Sequence, residues 1–83
     1  MTNDAGKIVV ALGANDDGNG LVQTKSAKGN DLVVLGSTDT GGVVDVYNKT
    51  GEVIANMYAD EYGNGVVGAW NRKGKGRTLQ PGP

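Results

Sequence analysis

Short apolar runs alternate along the whole chain with clusters of glycine, asparagine and aspartate. No stretch shows the three-to-four-residue spacing of an amphipathic helix. Three segments align when each is started at a glycine: GKIVVALGANDDGNGLVQTKSAK (6–28), GNDLVVLGSTDTGGVVDVYNKT (29–50) and GEVIANMYADEYGNGVVGAWNRK (51–73). A partial fourth copy starts at Gly74 and runs to residue 80. In the first half of each copy the columns Val9/Leu32/Ile54, Val10/Val33/Ala55 and Leu12/Leu35/Met57 are apolar. In the second half Leu21/Val43/Val66 and Val22/Val44/Val67 are apolar. The columns Gln23/Asp45/Gly68, Thr24/Val46/Ala69 and Lys25/Tyr47/Trp70 follow.

Valine-rich runs of this length, bounded by turn residues, predict strands. Each copy then reads as a hairpin, with turns at 15–20, 39–42 and 60–65. Asn-Gly and Gly-Gly are expected to supply the positive φ that tight hairpins need. The copies join through further turns at 28–30, 49–51 and 73–75. Six strands and a seventh follow, the last ending before Pro81, which cannot donate to a ladder. The predicted fold is all-β: an antiparallel meander of three hairpin repeats plus a C-terminal strand. Residues 1–5 are expected as a flexible N-terminus, 6–80 as one repeat domain and 81–83 as a tail.

A strand with one wet face alternates strictly, yet Val9-Val10, Leu32-Val33, Leu21-Val22, Val43-Val44 and Val66-Val67 are doubled. Apolar side chains are thereby set on both faces. A chain of 83 residues buries little apolar surface by itself. It has no cysteine for a disulfide, no histidine for a metal or for acid–base work, and no phenylalanine. Oligomerisation is the remaining aid for a small scaffold. An intertwined homotrimer, its apolar faces meeting around a threefold axis, is the expected assembly; a closed single-chain barrel is the plainer alternative.

Charge removes several partners. The net charge is −1, and only Arg72, Lys73, Lys75 and Arg77 form a basic run, which argues against a nucleic-acid partner. No segment approaches the ~18–20 apolar residues of a membrane span. Met1–Ala5 has no basic region leading into an apolar run, so no signal peptide is expected. The acidic turns at 15–20 and 60–65 lack the closing bidentate acid and flanking helices of a calcium loop. Their ordinary role is for Asp and Asn to bond their own backbone. The glycine-rich run 13–20 lacks the lysine and the following helix of a phosphate loop. Ser26, Ser37 and Thr40 have no histidine base. Asp45 and Glu52 are better read as solvated strand charges than as a glycosidase pair. No catalytic residue, metal ligand or cofactor is expected.

The aromatics are the remaining candidates. Tyr47 and Trp70 occupy equivalent positions, and Tyr58 and Tyr62 flank the third turn. Flat aromatics on a sheet can stack on sugar rings or anchor a protein; they also serve as cross-strand packing.

The chain resembles short bacterial proteins built of tandem hairpin units of the form YD-x-x-G-K-V-x-A-x-L-G-x-D-E-x-G-x-G, often ending in G-R-T-L-x-P. The matching residues are Tyr47 to Ala55, Asp60 to Gly65, and Arg77-Thr78-Leu79 with Pro81. The first copy departs from the pattern at Lys25-Ser26-Ala27, and the second lacks one turn residue. The resemblance implies an elongated or trimeric β-architecture, similar to fibre segments, and no established chemistry. The functional expectation is a non-catalytic structural or assembly module. The alternative is a binding module for carbohydrate or protein, acting through Trp70, Tyr47, Tyr58 and Tyr62.

Overall fold

A computed structural model describes residues 1–81, so of the expected tail at 81–83 only Pro81 lies within the described residues. The seven strands are β1 (Val10–Ala14), β2 (Gly20–Lys25), β3 (Asp31–Thr38), β4 (Gly41–Tyr47), β5 (Val53–Ala59), β6 (Gly65–Trp70) and β7 (Gly76–Leu79). They form one open antiparallel sheet in chain order, and the described residues contain no helix. The sheet does not close, so the barrel alternative is not the architecture found.

One turn design recurs at Asn3, Asn15, Ser26, Asn48, Asp60 and Asn71. In each, the side-chain oxygen of the first residue accepts the N–H groups two and four positions on. At Asp60 these come from Tyr62 and Asn64, both at 2.9 Å. The same pattern holds at the other five positions. The first residue's carbonyl accepts from the glycine three positions on, and its N–H donates to the carbonyl four positions on. This is a three-residue hairpin loop, whose last residue must be left-handed. The residues filling that place are Gly6, Gly18, Gly29, Gly51, Gly63 and Gly74, with φ between +80° and +94°. In the turns at 15–20 and 60–65 the positive φ therefore falls two residues before the glycine of the Asn-Gly pair: Gly20 and Gly65 begin strands.

The β3–β4 turn is the exception. Asp39-Thr40 form a two-residue loop between the paired Thr38 and Gly41. The Thr40 hydroxyl donates to the Ala59 carbonyl at 2.8 Å, tying this tip to β5. Gly41 has φ +144°, and a Cβ there would lie 2.8 Å from that of Ala59. At the other end of the sheet, Met1–Asn3 fold back on β1. The Met1 ammonium donates to the Val10 carbonyl at 3.0 Å, and Thr2 bridges Ile8.

With the turns set, the registers convert the repeat columns into rows. Directly paired residues share a face, and Leu12–Val22–Leu35–Val44–Met57–Val67–Leu79 stand in one row crossing all seven strands. Two positions along the strands, on the same face, runs Val10–Thr24–Val33–Val46–Ala55–Ala69–Arg77. The opposite face carries Val43, Tyr58 and Val66 in one row, and Asp45, Asn56, Gly68 and Thr78 in the next. Each doubled valine pair in β4 and β6 thus gives one side chain to each face.

Little of this apolar surface is covered. Val66 is the only buried hydrophobic residue among the described ones, at 2% exposure, whereas Leu12 and Leu79 are 75% and 73% exposed. The accessible surface is 6050 Å², against roughly 4,700 Å² for a compact monomer of this mass. The radius of gyration is 14.4 Å, against about 12 Å for a compact domain. The described residues make a sheet with two faces and no interior.

The turn oxygens make a clean stability test. Replacing Asp60 by alanine removes two acceptor bonds and is expected to cost about 1 kcal/mol. Asp60→Asn, which keeps the oxygen as at Asn15 and Asn71, is expected to stay within a few tenths of a kcal/mol of the parent. Urea unfolding midpoints of the two variants decide it; equal losses would show that the oxygen does not hold the turn.

Candidate functional site

The four aromatics fall at four separate places. Trp70 ends β6 and turns back over Gly68, two residues earlier on the same face; a Cβ on Gly68 would overlap the indole ring. The indole is half-buried and covers the backbone where any larger residue would lift it off. Asn56 stands directly opposite Gly68 on that face. Its Oδ1 is buried without a hydrogen-bond partner, and the same holds for the Ser37 hydroxyl. Tyr58 shares the face but is paired with Val43 and Val66. Its position is four residues along the strand from Ile54, the neighbour of Trp70's level, or about 13 Å.

Tyr47 ends β4, where the ladder to β5 is irregular. Val46 pairs with Ala55, then Tyr47 with Val53, leaving Ile54 as the extra residue. The same shift occurs between β2 and β3, where Thr24 pairs with Val33 and Lys25 with Asp31, leaving Leu32 over. Leu32 and Ile54 belong to one repeat column, so these bulges recur in register. Beside them Lys25 and Asp31 form an ion pair at 2.5 Å with both side chains partly exposed, worth at most about 1 kcal/mol in such a setting. Tyr47 lines a shallow depression with Asn30, Asp31, Lys49, Thr50 and Gly51. Tyr62 sits at a turn tip, 80% exposed.

Trp70 and Tyr47 are at matching ends of β6 and β4, with β5 between them, so about 10 Å of sheet separates their levels. The bulge sets Tyr47 out of line with the regular pleat. The arrangement brings together an aromatic and polar groups at Tyr47, and an aromatic lid over backbone at Trp70.

In the acidic turns, the side-chain oxygens of Asn15 and Asp60 accept from their own backbone. Among the described residues no three acidic side chains gather closely enough to hold a metal ion. Two of the candidate hydroxyls serve turns likewise: Ser26 accepts two backbone N–H groups, and Thr40 ties the β3–β4 turn to β5.

A larger residue at position 68 tests the indole's place. Gly68→Val is expected to displace Trp70, the only tryptophan. The outcome would be red-shifted emission, stronger acrylamide quenching and a loss of about 1–3 kcal/mol from overpacking. Unchanged emission would mean that the ring does not lie on Gly68 in solution. No family model matches the chain, and no curated protein matches it significantly.

Proposed function

We propose that the protein is a non-catalytic structural or assembly module of β-hairpin repeats that functions by associating with copies of itself. The observation that carries this reading is the row from Leu12 to Leu79: seven apolar side chains, one per strand, with Leu12, Leu35, Met57, Val67 and Leu79 exposed. A monomeric soluble protein rarely shows a continuous apolar surface of this kind. A sheet whose described residues include one buried hydrophobic side chain has little of the apolar burial on which small folds depend. Association supplies that burial, so folding and assembly are coupled in this reading. The homotrimer expected from the sequence is one such self-assembly. The lack of histidine and cysteine supports a role without acid–base or thiol chemistry.

A second reading, recognition of carbohydrate or protein, is favoured by the depression that Tyr47 lines together with the polar residues Asn30, Asp31, Lys49 and Thr50. Aromatic and hydrogen-bonding groups in one shallow site suit a sugar ring.

Light scattering after size exclusion, with thermal unfolding at several protein concentrations, tests the first reading. A multiple of the chain mass and a midpoint that rises with concentration are the expected results. A folded monomer with a concentration-independent midpoint would reject it and leave the Tyr47 depression as the surface to test.

A further inference from the structure

The two faces of the sheet are not alike, and the difference says which one meets a second copy. On the face bearing the Leu12–Leu79 row, Thr24 and Arg77 are the only polar side chains in the two seven-strand rows. The opposite face carries Asp45, Asn56 and Thr78, and it is partly covered by Trp70 lying on Gly68. The burial along β6 shows the same bias: Val66 and Gly68 are buried, while Gly65, Val67 and Ala69 on the row face are exposed.

Area and width then limit how the row face can be covered. The chain exposes roughly 1,400 Å² more than a compact monomer of its mass. A stable interface takes about 800 Å² from each partner, so one sheet-on-sheet contact accounts for much of the excess. Seven strands spaced about 4.8 Å apart put β1 and β7 about 29 Å from one another. Three walls of that width around a threefold axis would stand about 8 Å from it at their centres and about 17 Å at their corners. Packed sheets lie about 10 Å apart, so a side chain reaches about 5 Å from its sheet. A threefold prism of these sheets would therefore hold an unfilled centre. Two sheets face to face fill theirs along the whole row.

We infer that two copies pack row face to row face as a two-layer sandwich, with the Trp70 face outward on both sides. This rests on the self-association reading and specifies its partner surface and stoichiometry. The interface is isologous, each copy presenting the same row to the other, and the sheets lie aligned within about 30°.

The chain has no cysteine, so single-cysteine variants report position without interference. Met57→Cys places a thiol in the middle of the row, and Thr78→Cys places one on the opposite face. Two chain masses by light scattering are expected for the parent and for both variants under reducing conditions. The thiol of the Met57→Cys variant is expected to react with a water-soluble maleimide at least tenfold more slowly as the protein concentration is raised through the dimerising range. The thiol of the Thr78→Cys variant is expected to react fast throughout. Three chain masses would overturn the sandwich and leave self-association standing, whereas one chain mass would overturn both. Two chain masses with the two thiols equally reactive at every concentration would overturn the choice of face.

Discussion

The structure depends on the turn built from one side-chain oxygen and one left-handed glycine. In most sheets, register is held by a buried face, because a slip of one residue would drive the apolar set into water. Here Val66 is the only buried hydrophobic residue described, so burial within one chain holds register weakly. Asn15 with Gly18, Asp60 with Gly63 and their equivalents hold it instead, since each fixes where the chain reverses. The seven-residue row is the consequence. If one turn lengthened by a residue, the strands beyond it would turn their apolar side chains to the other face, and the row would break.

Much of the fold is legible in the residues. The apolar runs between turn clusters mark the first six strands, the partial fourth copy marks the seventh, and the columns Leu12/Leu35/Met57 and Val22/Val44/Val67 become adjacent members of one row. The glycine of each turn is harder to pick out, because Asn19-Gly20 and Asn64-Gly65 match a tighter hairpin type than the one formed. Each of these turns has Asn, Ser or Asp followed three residues later by glycine, as early as Asn3-Gly6, but the same spacing at Asp17-Gly20 and Asp39-Gly42 forms no such turn. The turn at Asn3 leads residues 1–3 back onto β1. The bulges at Leu32 and Ile54 fall in one repeat column, each three residues after the left-handed glycine of the preceding turn, Gly29 and Gly51.

The candidate site was legible only as a set of residues. The repeat alignment places Tyr47 and Trp70 at equivalent strand ends, and the sheet has them there. Their surroundings differ for reasons that lie across the sheet. Position 68 is glycine in the third copy and aspartate at the matching Asp45 in the second, so only the third copy has room for a ring folded over the strand. Tyr47 meets a bulge instead, and its neighbours come from the turns after β2 and β4.

The meander order has a kinetic consequence. Every ladder joins strands that are consecutive in the chain, so no pairing waits for a distant segment to arrive. Such a chain behaves as a linear array in which each hairpin is stabilised only by its immediate neighbours. Low sequence separation of contacts favours fast folding for a sheet, with growth from any hairpin toward both ends. Opening runs the other way: β7, paired on one side alone, frays first, and the last amides to exchange with solvent lie in β3, β4 and β5, where the Thr40–Ala59 bond adds a tie across the ladder.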